Sequence, residues 1–259
     1  MIRENWVKKA IRSGKKTIGG WLQLGSPMAA EIMAHAGFDW LLVDCEHSPA
    51  DFQTLMLQYQ AMSATNTIPL CRAPWNDLVA IKRILDVGAY GVMVPWVNNQ
   101  EQAEMAVKAC KYPPEGLRGV ATSVRAAGYT RNGAEYLKRA NEEIMVIVQI
   151  ETSTAVRNIK EILSVKGIDV VFIGPNDLST AMGYPGNREH PEVQAAIATI
   201  EKAAKEAGVA LGTVSSSLEH AKQLWDRGYQ FIHLSGDVTL LAKGSTEVVN
   251  KFRSEVKQE

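Results

Sequence analysis

The chain has 259 residues, and 28 lysines and arginines balance 28 aspartates and glutamates, so its formal net charge is zero. This balance, with few aromatic residues and no basic run among them, gives no indication of a nucleic acid or an anionic membrane as a partner. The longest apolar stretches are strand-sized, well short of the ~20 residues of a membrane-spanning helix. Residues 1–16 are charged and lack the apolar core of a signal peptide, so we expect a cytoplasmic protein.

The cysteine pattern supports the same location. Cys45, Cys71 and Cys110 are the only cysteines, and none of them forms a CxxC motif. An odd number without that spacing argues against both a disulfide framework and a zinc site, and it fits a reducing compartment.

Short aliphatic runs alternate with longer amphipathic runs along the chain. We predict eight strands, at Thr17–Leu24, Trp40–Cys45, Ile68–Arg72, Gly91–Pro95, Met145–Ile150, Val170–Ile173, Ala210–Val214 and Phe231–Leu234. Helical patterns such as "MAAEIMAHAG" and "LVAIKRILDVG" lie between them, and a long terminal helix follows the last strand. Several of these patterns end in a glycine, as helix C-caps do: Gly37, Gly88, Gly167, Gly208 and Gly228.

Eight β-then-α units in a chain of this length predict an α/β fold, a TIM (β/α)8 barrel formed by residues 1–259 as one domain. A doubly wound sheet is the main alternative, but it has fewer strands and a glycine-rich first turn, whereas the first turn here reads "LGSPMAAE". Residues 112–131 form the longest stretch without periodicity, and we expect a loop over one end of the barrel.

Polar side chains collect where the predicted strands end, which is where the active sites of such barrels lie. The first strand ends near Trp21 to Gln23. The second ends in Asp44, Glu46 and His47, and the third ends in Arg72. Gln149 and Glu151 lie at the end of the fifth strand, and "IGPND" carries the sixth to Asp177. The sequence therefore predicts a polar site at this rim.

Two of these carboxylates suggest a metal ion. Glu151 and Asp177 follow neighbouring strands, which run ~4.8 Å apart. Carboxylates that close repel each other unless they share a cation, and Mg²⁺ or Mn²⁺ accepts one or two of them. Salt bridges to nearby arginines are an equal alternative.

Arg72 and His47 each have two possible roles. A guanidinium at a barrel mouth suits a carboxylate or an enolate oxygen, but Arg72 could instead form a structural ion pair with Asp44 or Asp86. An isolated histidine is more often structural, but beside a metal and an arginine His47 becomes a candidate general base. Strand alternation places Asp44 and Glu46 opposite His47 unless the chain bends.

Other reaction classes find less support. All sixteen lysines fall in helical or loop segments, whereas a Schiff base needs a lysine mounted on a strand. No GxSxG is present, and "TVSSS" at 213–217 fits a helix N-cap better than a nucleophile.

Several motifs together resemble the HpcH/HpaI aldolase family over about residues 5–250: "DWLLVDCEHSPAD", "CRAPWND", "YPPEGLRGV", "VIVQIET" and "VFIGPNDLS". The resemblance implies a class II pyruvate aldolase dependent on Mg²⁺, Mn²⁺ or Co²⁺, assembled as a hexamer in which the last helix swaps between subunits. It implies cleavage of a 4-hydroxy-2-oxo acid to pyruvate and an aldehyde through a metal-stabilised enolate. Cleavage of 2-keto-3-deoxy sugar acids and decarboxylation of oxaloacetate use the same enolate and remain alternatives.

The resemblance also implies residue roles. Glu151 and Asp177 would bind the metal. His47 would be the base, supported by Asp86 from a neighbouring subunit, and Arg72 would hold the keto or enolate oxygen. The pyruvate site would be formed by Gly174, Pro175, Trp21 and Gln149. We expect Asp44 and Glu46 to orient these groups and Cys45 to serve only packing. Arg125 is a candidate ligand for an acidic aldehyde, although an arginine in a loop is more often simply solvated.

Overall fold

Eight parallel strands close into a barrel in the computed structural model of the protein, which describes residues 3–256. The strands are β1 (Thr17–Leu22), β2 (Trp40–Asp44), β3 (Ile68–Arg72), β4 (Gly91–Val94), β5 (Met145–Ile150), β6 (Val170–Ile173), β7 (Ala210–Val214) and β8 (Phe231–Gly236). Each strand pairs with the next in chain order, and β8 pairs with β1. The predicted TIM barrel is confirmed. The domain bounds of 1–259 stay a prediction, because both chain ends lie outside the described residues.

Twelve helices surround the barrel within the described residues. They are α1 (Trp6–Arg12), α2 (Pro27–His35), α3 (Phe52–Ala61), α4 (Leu78–Asp86), α5 (Gln100–Cys110), α6 (Gly133–Glu143), α7 (Ser153–Arg157), α8 (Ile159–Leu163), α9 (Pro175–Ala181), α10 (Pro191–Ala207), α11 (Leu218–Asp226) and α12 (Asp237–Glu255). Between residues 3 and 256, none of them has the length and apolar character needed to cross a membrane.

Helix ends follow the predicted capping chemistry. The Ser217 side chain accepts the backbone N–H of His220 at the start of α11, as expected of an N-cap. The five predicted C-cap glycines all have positive φ, a conformation that a side chain disfavours. The described part of the terminal helix also agrees with the prediction, and its residues beyond 256 lie outside the described range.

Observed strand ends differ from the predicted ones by at most two residues. The first strand ends at Leu22 because the backbone N–H groups of Gln23 and Leu24 donate to the Asp237 carboxylate, at 2.9 and 3.1 Å. The eighth strand continues to Gly236, since a register shift at Gly19/Gly20 lets it stay paired with β1.

The apolar core has two layers, one inside the barrel and one between the strands and the helices. Inside, the rings of Trp40 and Phe231 stack with centroids 3.8 Å apart. Val7 and Ile11 of α1 pack in the same inner layer. Since α1 precedes β1, these side chains fill the amino end of the barrel, which leaves the carboxyl end for a site.

The predicted loop of residues 112–131 lies on the amino-end flank, away from that rim. The Arg125 guanidinium donates to the backbone carbonyl of Val87, just after α4, and to that of Tyr59 in α3. Both helices run from the carboxyl rim toward the amino end, and Val87 lies close to the start of β4. Within one chain, Arg125 therefore cannot reach a ligand at the carboxyl rim.

Candidate active site

A buried ion pair joins the ends of β2 and β3. Asp44 and Arg72 are register partners in this parallel pair. Arg72 Nε donates to Asp44 Oδ1 at 2.9 Å and Nη2 to Oδ2 at 2.6 Å, and both side chains are almost completely buried. This two-pronged arrangement fixes the plane of the guanidinium. Of the two predicted partners, Asp44 and not Asp86 binds Arg72.

Asp44 also bends the chain behind it. Its Oδ1 accepts the backbone N–H groups of Glu46 and His47, at 3.1 and 3.2 Å, and its Oδ2 accepts Gln23 Nε2 at 2.9 Å. Burial opposes ionisation of Asp44, but the hydrogen bonds and charge of Arg72, with Gln23, outweigh it, so the pKa of Asp44 is lowered. The strand ends here, and simple alternation no longer applies to the residues that follow.

The bend brings the predicted rim residues together. Glu46 Oε2 lies 2.9 Å from Arg72 Nη1 and 3.8 Å from His47 Nε2. Burial raises the pKa of Glu46, although the charge of Arg72 works in the opposite direction. The His47 side chain is 61% exposed at the rim. Asp44, Glu46, His47 and Arg72 therefore form one cluster.

Two aromatic rings lie beneath this cluster. The Arg72 guanidinium sits 4.3 Å from the centre of the Trp21 ring, and Trp21 in turn packs against His233 at 5.3 Å. Among residues 3–256, Nδ1 of His233 has no hydrogen-bond partner. Burial lowers the pKa of His233 to about 4.

Glu151 is a buried carboxylate at the end of β5, with only 2% of its surface exposed. Its Oε1 accepts the backbone N–H of Trp96 at 2.8 Å, and its Oε2 accepts Gln149 Nε2 at 2.5 Å. Burial raises its pKa to about 7; the Trp96 hydrogen bond opposes this rise, and the nearby Glu46 and Asp177 add to it. The carboxylates of the site thus carry more negative charge than the Arg72 guanidinium neutralises.

The first turn of α9 forms the opposite wall. Gly174 precedes the helix, Pro175 is its first residue and Asp177 lies in its first turn, half-buried. A Cβ on Gly174 would lie 2.8 Å from Glu151 Oε2 and 2.9 Å from Gln149 Nε2. Glycine is therefore required here so that the loop can approach the carboxylate closely.

A cavity of about 200 Å³ opens between these elements. Its walls include most of the predicted site residues: Trp21, His47, Arg72, Gln149, Gly174, Pro175 and Asp177. Glu151 lies directly behind the wall made by Gln149 and Gly174.

The donor set fits a divalent cation. A carboxylate offers about four lone-pair sites, and Glu151 uses one on each oxygen, which leaves one free on each. In the part of the chain that the structure describes, Gln149 Oε1 is a buried acceptor without a partner. Between residues 3 and 256, no set of three or more His, Cys, Asp or Glu side chains converges as a complete ligand shell. The remaining positions would fall to water and substrate oxygens, as Mg²⁺ and Mn²⁺ prefer.

Asp86 is the one predicted catalytic residue that lies away from the cavity. It ends α4 at the amino side of the barrel, where its Oδ1 lies 2.8 Å from Nη2 of the buried Arg118. Within one chain it does not reach His47.

Sequence reasoning gave no role to two groups that hold the site. Gln23 fixes Asp44 through its amide, and its position near the end of the first predicted strand was the available signal. The Trp96 backbone N–H that binds Glu151 belongs to a residue with φ of 56°, which no side-chain pattern reveals.

A closed parallel barrel with buried carboxylates, an arginine and a histidine at its carboxyl rim defines an enzyme of the TIM-barrel class. The model of the HpcH/HpaI aldolase/citrate lyase family matches residues 17–244. A 4-hydroxy-2-oxo-heptane-1,7-dioate aldolase of Shigella sonnei is 45% identical over 249 residues, which cover 96% of this chain and 95% of the relative.

Solved structures agree. A HpcH/HpaI aldolase/citrate lyase family protein from Burkholderia cenocepacia matches with a TM-score of 0.93 and 37% identity, over 96% of this chain and 99% of the other. The HpcH/HpaI aldolase of Desulfitobacterium hafniense matches with a TM-score of 0.88 and 34% identity, over 95% and 96%. The chain belongs to the HpcH/HpaI aldolase/citrate lyase family and is a carbon–carbon lyase. Aldolases of this family depend on a divalent metal ion.

Proposed function

We propose that the protein cleaves a 4-hydroxy-2-oxo acid reversibly to pyruvate and an aldehyde. The observation that carries the proposal is the position of the Arg72 guanidinium, which Asp44 and Glu46 hold in place. Arg72 and Asp177 line the same cavity, and Glu151 lies behind its wall. Such a cavity combines a cation site with a fixed donor for an oxygen that gains negative charge. The substrate of the Shigella sonnei relative is of this chemical type.

Glu151 and Asp177 would hold a divalent cation, with Mg²⁺, Mn²⁺ and Co²⁺ as the candidates. When bound, this ion supplies Lewis-acid polarisation of the 2-oxo acid. The free lone pairs of Glu151 and the elevated pKa of this carboxylate, which burial and neighbouring anions cause, support the assignment.

Arg72 would stabilise the substrate oxygen. A guanidinium has five N–H donors, and the hydrogen bonds to Asp44 take one each from Nε and Nη2. Glu46 forms an ion pair with Nη1, so three N–H donors are left for the cavity. As the bond between C3 and C4 breaks, its electron pair moves into the enolate of pyruvate, and these donors meet the developing charge.

The substrate carboxylate would lie at the start of α9. Backbone N–H groups in the first turn of a helix have no partner inside it, and no side chain caps α9. Gly174 and Pro175 leave the approach open, and Trp21 and Gln149 form the side walls. Within the described residues 3–256, Trp21 Nε1 and Gln149 Oε1 have no hydrogen-bond partners, so both are available to a ligand.

His47 would move the proton. Its exposed imidazole lines the cavity beside Glu46, so it can take the C4 hydroxyl proton directly or through water, and return one to C3. We propose that Asp86 supports His47 from a neighbouring subunit, because within one chain it lies at the opposite end of the barrel. Arg125 could contact an acidic aldehyde only in the same way, since it lies on the same flank.

Assembly would supply that neighbour. Every residue of α12 after Asp237 is exposed, and the apolar Leu240, Leu241, Val248 and Phe252 lie among them. A cavity of about 520 Å³ lies between α11 and the strands β1 and β8, and it is lined by Ile18, Leu218, Trp225, Ile232 and Leu234. These features support exchange of α12 between subunits in a hexamer. A cytoplasmic location stays a prediction.

Deuterium uptake by the methyl group of pyruvate in D₂O tests enolate formation without knowledge of the aldehyde. We expect uptake with Mg²⁺, Mn²⁺ or Co²⁺, none with EDTA, and none in Asp177→Ala, which also loses metal binding. His47→Ala should bind metal normally but exchange at least ~10²-fold more slowly. The exposed Asp51→Asn variant, which keeps the N-cap of α3, is the matched control and should behave as wild type. Metal-independent uptake, or unchanged metal affinity in Asp177→Ala, would refute the assignments.

Release of pyruvate from a panel of substrates separates the alternatives. The panel contains 4-hydroxy-2-oxo acids, 2-keto-3-deoxy sugar acids and oxaloacetate, and we expect the first class to have the highest kcat/KM. A non-catalytic 2-oxo-acid-binding barrel would release pyruvate from none of them. Mixing His47→Ala with Asp86→Asn subunits tests the neighbour hypothesis, because only a site shared between subunits regains activity in the mixture.

A further inference from the structure

Two cysteines lie side by side directly behind the catalytic cluster. Cys45 follows the last residue of β2, and Cys71 is the penultimate residue of β3. Their sulfur atoms are 3.5 Å apart, and both are free thiols. The backbone N–H of Cys45 donates to the carbonyl of Arg72 at 3.0 Å, so the two backbone segments are held together independently of the sulfurs.

The pair occupies the other face of the same two strands. Cys71 packs in the layer between strands and helices, with Cys45 against it, whereas Asp44 and Arg72 point into the barrel. Cys45 stands between Asp44 and Glu46, the two carboxylates that hold Arg72. Any movement of Cys45 therefore acts on the support of the guanidinium.

The two thiols differ in access. Cys71 is fully buried, and burial raises its pKa, so this thiol reacts with an oxidant less readily than an accessible one. Cys45 is only half-buried and sits next to the open rim. A small oxidant entering from the rim would reach Cys45 first.

We propose that Cys45 and Cys71 form a reversible disulfide when the protein meets a small peroxide, and that this disulfide slows catalysis. Peroxide converts the Cys45 thiol to a sulfenic acid and releases one water. The Cys71 sulfur then attacks the Cys45 sulfur, and a second water leaves with the thiol proton. Two thiols are oxidised, one peroxide is reduced, and a dithiol reductant reverses the change.

The effect on catalysis follows from the distance. A disulfide requires sulfurs about 2.05 Å apart, so the pair must close by about 1.5 Å. That displacement is applied at the residue between Asp44 and Glu46, and misplacement of a catalytic group by ~1 Å can lower a rate about 10²-fold. In a reducing cytoplasm such a bond would form only transiently, as redox-sensing disulfides do.

The test treats the metal-free protein with hydrogen peroxide and uses two independent readouts. Thiol titration of the unfolded protein and intact mass report the disulfide whether or not the protein is an aldolase. Deuterium exchange into pyruvate, measured after removal of peroxide and addition of Mg²⁺, reports catalysis and alone rests on the proposed function.

We expect wild type and the control variant Cys110→Ser to lose two thiols and the mass of two hydrogen atoms, to exchange about 10²-fold more slowly, and to recover with dithiothreitol. Cys45→Ser and Cys71→Ser should not lose this mass. The proposal is wrong if Cys45 and Cys71 remain free thiols in Cys110→Ser after peroxide treatment while that variant loses activity. It is also wrong if the disulfide forms and deuterium exchange into pyruvate continues at the untreated rate.

Discussion

Replacing Asp44 by asparagine tests how the active-site arginine is held. Asp44 Oδ1 accepts Arg72 Nε and two backbone N–H groups, whereas Oδ2 accepts Arg72 Nη2 and Gln23 Nε2. Asparagine keeps one oxygen, so its NH₂ must take the position of Oδ2 and face two donors. The buried guanidinium then keeps only Glu46 as a charged partner.

Breaking a buried ion pair by removing one partner costs about 3–5 kcal/mol, and we expect Asp44→Asn to lose that much unfolding free energy. Because the pKa of Asp44 is lowered, its contribution is complete above its ordinary pKa of 3.8 and is lost only as the pH falls through the folded-state value. The difference from wild type should therefore be constant between about pH 6 and 8.

Urea unfolding followed by tryptophan fluorescence measures the stability, and deuterium exchange into pyruvate measures the activity. A shift of Arg72 by ~1 Å should slow exchange about 10²-fold. Asp51→Asn is the matched control, because the exposed Asp51 caps α3 and asparagine caps a helix equally well. If Asp44→Asn retains both wild-type stability and wild-type exchange, Asp44 does not hold Arg72 in the way described.

Two further substitutions test the cavity and the barrel interior. Gly174→Ala should weaken Mn²⁺ binding at least ~10-fold by calorimetry, because its Cβ displaces the Glu151 carboxylate or Gln149. Gly244→Ala, whose Cβ meets no neighbour among the described residues, should bind Mn²⁺ with wild-type affinity. Equal Mn²⁺ affinities of the two variants would contradict the proposed metal site. His233→Gln should make the stability less sensitive to acid. The pKa of His233 is about 4 in the folded chain and 6.5 in the unfolded chain, so the unfolded state binds more protons between these two values. The unfolding free energy of wild type therefore falls as the pH drops through this window. Urea unfolding should show wild type losing about 2 kcal/mol more than His233→Gln between pH 7.5 and 5, and identical losses would show that His233 does not remain neutral.

The barrel could be predicted because its strands are buried on both faces. A strand such as Val170–Ile173 has no polar residue and forms a continuous apolar run between a helix-ending glycine and a polar rim. The ends of β1 and β8 escaped prediction because the Asp237 carboxylate and a register shift determine them, and both depend on residues far apart in the chain.

The site was predictable residue by residue but not in its geometry. The rim position of Arg72 follows from where its strand ends, yet the choice of Asp44 over Asp86 as its partner required the barrel register. The bend after Asp44 depends on three N–H donors converging on one carboxylate, an arrangement that strand alternation cannot foresee. The loop of residues 112–131 has no periodicity to assign it to either end of the barrel.

The charges of the site account for the need for a metal ion in binding as well as in chemistry. Asp44, Glu46, Glu151 and Asp177 gather around Arg72, whose charge is already committed to the first two. A 2-oxo acid is itself an anion and would enter a site with an excess of carboxylates, which opposes binding. A divalent cation held by Glu151 and Asp177, as proposed above, would reverse that balance and offer ligand positions to the substrate oxygens. We therefore expect pyruvate to bind measurably only after the cation, which gives the reaction an ordered start.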